Sequence, residues 1–466
     1  MVLLVPLQYD NSLINNSLAL IAILIHVNSM IVPEIKFAEK DGFSIAYQVW
    51  GEGTETLIYV PGMISHLDVS AESPEYVSFL SRLSENYRVI IFDKRGQGLS
   101  DRDSTVPGIE SRMDDIDAVA DAEKVKSFYL FGYSEGASIA LLYAATHPEK
   151  TLGVSVFGGF PKFLNSEDFE LMTDKETILD GFLPNWGKGL SGYLFCPQAM
   201  PGAQMAMSKL ERMVCSPSTL RTILETNFKI DIRSSLSSVE VPCLIAHARD
   251  DRAISVKNGR YLADHIIGAK YIEYAHGGHF PHLGNINQIV SDLVTFFSNN
   301  QRSCDTQSKS LTTVLFTDIV GSTSKMLELG DKKWAAKINS HDEVVRVTVR
   351  DFSGKMIKST GDGSLCVFDG PVRASKCAMA LRTRLKELDL HIRCGLNFGQ
   401  VEWVADDVIG KTVNISSRVM DLADADQIFL TKDTVDVLSG AELETSFVGK
   451  YQLKGFDIEW DVYQIC

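Results

Sequence analysis

The chain has 466 residues, 45% hydrophobic and 23% charged. At roughly 100–200 residues per domain this length asks for two or three cores, and the balance excludes collagen-like repeats, coiled coil and extended disorder. Lys and Arg total 45 against 60 Asp and Glu, and the net charge of -15 repels phosphate backbones and anionic lipid. No local basic patch offsets it, so nucleic acid is not an expected partner. Eight cysteines, at positions 196, 215, 243, 304, 366, 377, 394 and 466, form no CxxC pair. Their thin spread suits neither a zinc site nor a disulfide framework and fits reduced thiols in a cytoplasm.

The N-terminal run Leu18–Val27 is apolar but shorter than the roughly 20 residues of a spanning helix. No Lys or Arg precedes Lys36, so the basic start of a secretory signal is missing. Residues 1–30 are expected to be a disordered extension, or to precede a start at Met30, and a cytoplasmic protein with no transmembrane segment is expected.

From residue 35 to about 300, apolar β-rich runs alternate with helical patterns: TLIYV at 56, RVIIFD at 88, SFYLFG at 127, TLGVSVFGG at 151, CLIAHA at 243 and KYIEYA at 270. The alternation implies βαβ units and a largely parallel sheet. SNNQRSCDTQSKS has no apolar residue apart from Cys304 and reads as a linker, placed at 299–309 between domains at 31–298 and 310–466. In the second domain, strands are expected at TVLFTDI, SLCVFD, HIRCGLNF and QIFLT, with helices over Pro371–Leu388 and Thr412–Leu422.

Gly132-Tyr133-Ser134-Glu135-Gly136 lies between an apolar strand and a helical run, the context of a G-x-S-x-G nucleophile elbow. Glycines on both sides of a sharp turn would lift the serine hydroxyl clear of the sheet. A Gly-rich turn with a serine cap has the same local pattern. HARDDRAI and AHGGHFPHLG each follow a strand downstream, which supplies acid and then histidine in triad order. With VPGM at 60–63 and FDKRGQGLS at 92–100, residues 35–300 resemble the α/β-hydrolase family. The resemblance implies Ser134 as nucleophile, His279 as base, Asp251 as orienting acid, and the amides of Met63 and Glu135 as oxyanion donors. Asp250, His276 and His282 are neighbouring alternatives. The insertion at about 161–235, with Trp186, Tyr193 and Phe195, is expected to form a helical lid whose apolar residues are read first as packing. The substrate would be an ester or another small-molecule ligand.

Beyond the linker, LTTVLFTDIVGST runs from a strand into a turn that should start a helix. A carboxylate there, beside free helix amides, suits metal plus phosphate. MIKSTGDGSLCVF brings Asp362 to a hairpin tip with Lys358 four residues earlier, and DDVIGKTVNISSRV puts Asn414 and Arg418 on one helix face. The three motifs in this order resemble the class III adenylate and guanylate cyclase catalytic domain, an α+β, ferredoxin-like fold, over about residues 309–466. The resemblance implies Asp318, Ile319 and Asp362 at two divalent cations, Mg2+ or Mn2+. It implies Lys358 and Asp407 reading the base, with Asp406 as the alternative to Asp407, and Asn414 and Arg418 on the ribose and transition-state phosphate. Lys358 as donor and Asp407 as acceptor match adenine, so ATP is the expected substrate. A homodimer is expected, each cleft taking the metal aspartates from one chain and the other four residues from its partner. The competing expectation is a hydrolase whose cyclase half only binds nucleotide.

Overall fold

The computed structural model describes residues 32–40, 42–102, 108–195, 202–301, 309–438 and 443–466. The expected N-terminal extension and most of the expected linker lie outside the described residues. Among the described residues no helix is long and apolar enough to cross a membrane, and the described cysteines are free thiols.

The first sheet holds β1 (Lys36–Lys40), β2 (Phe43–Trp50), β3 (Thr56–Val60), β4 (Arg88–Phe92), β5 (Phe128–Tyr133), β6 (Thr151–Phe157), β7 (Cys243–Ala248) and β8 (Lys270–Tyr274). Their order is β1-β2-β4-β3-β5-β6-β7-β8, parallel from β4 onward. The central strands are continuous apolar runs because both of their faces are covered. Ile58, Val60, Ile90 and Leu130 enter one core, while Leu57, Tyr59, Ile91 and Phe131 enter the other. The helix Ile286–Asn299 seals the second core, where Phe297 stacks on Tyr129 at 4.3 Å between ring centroids. The antiparallel edge pair β1–β2 is absent from the sequence expectation; β1 buries only Ala38, which leaves little apolar signal. Between β6 and β7 the chain makes the helices Lys175–Phe182, Gly192–Phe195, Ala203–Val214 and Pro217–Asn227.

The second sheet holds β9 (Lys309–Ile319), β10 (Lys355–Ser359), β11 (Gly363–Phe368), β12 (Ile392–Val404), β13 (Asp407–Ile409), β14 (Ile428–Thr431), β15 (Thr445–Gln452) and β16 (Glu459–Ile465). Its order is β10-β11-β9-β12-β14-β16-β15, with β13 on β12. Strand β9, the helix Asp331–Asp351, the β10–β11 hairpin, the helix Pro371–Lys386 and β12 form a βαββαβ unit, the ferredoxin-like arrangement. The helix Pro371–Lys386 buries Ala374, Cys377, Ala378, Leu381 and Leu385, the 3.6-residue stripe visible in the sequence. β12 outruns the expected HIRCGLNF because its second half pairs with both β9 and β13. The β15–β16 hairpin was not expected; its faces are half-exposed and a register shift at Gly449 breaks the alternation.

The two halves pack on each other. Leu311 of β9 and Phe398 of β12 belong to the core built around the helix Glu135–Thr146. From the helix Ile109–Ala122, Glu110 reaches across to accept the N–H groups of Val372 (3.0 Å) and Arg373 (3.2 Å), two of the unpaired donors that begin the helix Pro371–Lys386. Asp114, one turn along, bonds the Arg373 guanidinium, which also holds Asp369 at 2.8 Å.

Burial pushes the Glu110 carboxyl up to about 7; the amide bonds and Arg373 oppose the shift and Asp369 adds to it. The folded state therefore holds this proton more tightly than the unfolded chain. Its contribution to stability is fully present below the ordinary value of 4.5 and is lost as pH rises through about 7. The melting temperature of wild type relative to Glu110→Gln should accordingly fall across that window. A difference that does not change with pH would contradict the assignment.

Candidate functional site

β5 ends at Tyr133, the helix starts at Glu135, and Ser134 between them has φ 55° and ψ -121°. This is a left-handed, strained conformation for a residue with a side chain. The strain persists because the neighbours permit no alternative path. A Cβ on Gly136 would lie 2.2 Å from the Val60 carbonyl oxygen, and one on Gly132 would lie 2.6 Å from that of Gly136. The helix start is thereby pressed onto the end of β3, and the serine is turned outward.

His279 Nε2 lies 2.9 Å from Ser134 Oγ, and His279 Nδ1 lies 2.8 Å from Asp251 Oδ2. With its proton on Nδ1, the ring donates to the carboxylate and accepts from the hydroxyl. Asp251 Oδ1 accepts the N–H groups of Ala253 and Ile254, each at 2.9 Å. Burial alone would raise the Asp251 carboxyl, but the His279 and His247 rings hold it far below the usual range. His247 was not singled out from the sequence; its Nε2 sits 3.3 Å from the same carboxylate oxygen. The alternatives go elsewhere. Asp250 accepts the Gly278 N–H at 2.9 Å, His276 is solvent-exposed beside it, and His282 packs edge-on to Tyr76.

The Glu135 N–H is the first of its helix and has no intrahelical acceptor, while Gly62 lies against Tyr133 and Ser134 and brings the Met63 amide to the elbow. A cavity of about 670 Å³ opens there, lined by Ser134, His279 and Met63 together with Trp186, Tyr193 and Phe195 from the insertion. The last three were read first as packing. They line the cavity, and Trp186 also packs into the core around the helix Glu135–Thr146, while Phe195 stacks on the His279 ring at 5.3 Å and its carbonyl oxygen accepts the His279 N–H at 3.0 Å.

In the second half, Gly363 pairs with Asp318 across β11 and β9, so Asp318 and Asp362 sit at neighbouring strand ends. The Ile319 N–H donates to the Asp362 carbonyl at 2.9 Å and locks that register. Asp318 accepts from Arg393 Nε (2.9 Å) and Nη2 (2.7 Å), and Asp362 accepts from Ser322 Oγ at 2.6 Å. Neither Arg393 nor Ser322 was picked from the sequence, since HIRCGL carries no local mark of a site. Two carboxylates without a closed protein cage fit a hard divalent cation that keeps positions for phosphate oxygens. No cluster of three or more His, Cys, Asp or Glu side chains occurs among the described residues.

Lys358 Nζ donates to Asp407 Oδ2 at 2.6 Å, and this bond, with the Val408 N–H, lowers the Asp407 carboxyl. Asp406 is fully exposed and reaches only Lys355, at 3.5 Å. The helix Lys411–Asp421 buries Ile415, Ser416, Val419 and Met420 against the sheet and leaves Asn414 exposed and Arg418 partly so. Arg418 bonds Asp421 at 3.1 Å. Among the described residues no hydrogen bond joins Asn414 or Arg418 to the two strand-end aspartates or to the Lys358–Asp407 pair.

Residues 52–285 match the family described as serine aminopeptidase, S33, and residues 304–466 match the adenylate and guanylate cyclase catalytic domain. Karrikin insensitive 2 receptor CA of Petunia hybrida is 24% identical over 260 residues, covering 53% of this chain and 93% of the relative. Strigolactone esterase RMS3 of Pisum sativum is 24% identical over 267 residues, covering 54% and 96%. Among solved structures, the esterase EaEST from Exiguobacterium antarcticum aligns with a TM-score of 0.51 at 22% identity, over 56% of this chain and 99% of that one.

Proposed function

We infer the activity from the premise that the chain belongs to the α/β-hydrolase family over residues 52–285 and carries an adenylate and guanylate cyclase catalytic domain over residues 304–466. The reading is an adenylate cyclase that converts ATP to 3',5'-cyclic AMP and pyrophosphate in a homodimer, joined to a serine hydrolase of esterase type.

The observation that carries the substrate assignment is the 2.6 Å bond between Lys358 and Asp407, which sets one donor beside one acceptor. Adenine presents an acceptor at N1 beside a donor at its exocyclic amine. Guanine reverses both and would leave these groups mispaired. Asp318, Ile319 and Asp362 would hold two divalent cations, Mg2+ or Mn2+, whose charge acidifies the ribose 3'-hydroxyl and neutralises the triphosphate. Arg418 offers a planar guanidinium to the α-phosphate as charge develops on it, and Asn414 orients the ribose. Arg393, already against Asp318, would offer a counter-charge to a bound triphosphate. A shared site is consistent with there being, among the described residues, no hydrogen bond between Asn414 or Arg418 and the aspartates within one chain.

In the hydrolase half, Ser134 would attack an acyl carbon as His279 takes its proton. Asp251 stays ionised to stabilise the imidazolium, and the Met63 and Glu135 amides receive the oxyanion. The mostly apolar cavity suits a small ester with an apolar acyl or alcohol group. A second reading, in which ligand occupancy of this cavity is sensed by the cyclase, is favoured by the Glu110–Arg373 contact and by a relative that is named a receptor.

Three experiments test this. Cyclic AMP should form at least roughly tenfold faster than cyclic GMP, if each mispaired base contact costs about 1–3 kcal/mol; equal rates with ATP and GTP would refute the roles of Lys358 and Asp407. A serine-directed fluorophosphonate should label wild type and not Ser134→Ala, and labelling that persists in the variant would remove the triad. Asp318→Ala and Arg418→Ala should each be nearly inactive as cyclases. Mixed in equal amounts with verified subunit exchange, they should regain about a quarter of wild-type activity, since half the dimers are mixed and each of these has one intact site of two. No recovery would place both residues in the same chain's site.

A further inference from the structure

Three buried charges beside the elbow have no part in the triad. Lys94, Arg112 and Glu135 are 2%, 3% and 0% exposed. Lys94 Nζ donates to the Gly62 carbonyl oxygen at 2.6 Å and to Glu135 Oε1 at 2.9 Å. Arg112 bonds the same Glu135 oxygen, and Asn227 Nδ2 donates to Glu135 Oε2 at 2.9 Å. Arg112 in turn donates to Asn227 Oδ1 at 2.8 Å, which closes the cluster.

The Gly62 carbonyl and the Met63 N–H belong to one planar peptide. A donor fixed on the carbonyl therefore fixes the direction of the N–H on the opposite side and polarises it. The other proposed oxyanion donor is the N–H of Glu135, whose carboxylate grips the same ammonium. One buried side chain thus ties together two peptides that come from different parts of the chain. Packing alone does not account for it. Glu135 already has Arg112 as counter-ion, and a buried ammonium is costly where an apolar side chain of similar length would fill the space.

We propose that Lys94 is the positioning residue of the oxyanion hole, setting the spacing and direction of the Met63 and Glu135 amides. This rests on the serine-hydrolase reading. Lys94 never touches the substrate; it acts through the two backbone groups that do.

The test uses the full chain, p-nitrophenyl acetate as ester probe and a fluorophosphonate as probe of Ser134. Lys94→Met keeps the length of the side chain and removes the donor. Its kcat should fall about 10- to 100-fold with KM nearly unchanged, somewhat less than the loss of a whole oxyanion donor. Fluorophosphonate labelling should slow in parallel, because the phosphoryl oxygen occupies the same hole. Lys94→Arg, which restores a donor toward Gly62, should recover part of both rates. If Lys94→Met does not fold, Glu135→Gln releases the ammonium while keeping the amide in place, and should give the same selective loss of kcat. Full turnover and labelling in either variant, or a rise in KM at constant kcat, would overturn the role of Lys94 alone. Absence of labelling in wild type would overturn the hydrolase reading beneath it.

Discussion

The helix Glu135–Thr146 is buried along its whole length, and both halves of the molecule are built against it. Apart from Glu135, Ser138 and Thr146, its residues are apolar or aromatic on every side, which a helix tolerates only when other elements cover it all round. β5 and β6 take one flank, and the start of β9 takes another. Its first turn carries Glu135 directly after Ser134, so the elbow cannot shift without moving the helix, and the helix cannot shift without disturbing β9. That same strand carries Asp318 next to its last residue, Ile319. The proposed nucleophile and Asp318, proposed as the first metal-binding carboxylate, therefore stand on two elements in contact, and Leu311 and Phe398 extend one core across the junction.

Charge burial is handled differently at each carboxylate. At Asp251 two imidazoles and two backbone amides oppose the burial penalty and win, so the group remains an anion suited to orient a histidine. At Glu110 two amides and Arg373 oppose it less effectively, because Asp369 adds repulsion, and the carboxyl rises to about 7. One group is a fixed charge and the other is a proton-sensitive joint between the halves. The difference lies in the partners each fold position supplies, since both groups are well buried.

The cyclase face has the opposite character. Lys358, Asp407, Asn414 and Arg418 remain at least partly exposed, while Val408, Ile415 and Val419 beside them in the chain are buried. Polar groups held at an open face, and not hydrogen-bonded to Asp318 or Asp362 among the described residues, are what the proposed two-fold dimer would complete with a second copy of the chain.

Short-range rules made much of this legible in the sequence. The continuous apolar runs of β3, β5 and β7, the glycines around Ser134, the hairpin that carries Asp362 and the stripe from Ala374 to Leu385 each depend on neighbours a few residues away, so their patterns survive without the fold. The resemblance to the α/β-hydrolase family already preferred Asp251 to Asp250 and His279 to His276 and His282, but only the tertiary structure supplied the distances, 2.9 Å from His279 to Ser134 and 2.8 Å to Asp251, because local spacing does not set them. The tertiary structure alone joined Lys94 to Gly62, Arg393 to Asp318 and Glu110 to Arg373. Each of those contacts links segments far apart in the chain, through side chains whose local context is an ordinary turn, strand or helix, and nothing short of the folded backbone brings them within hydrogen-bonding distance.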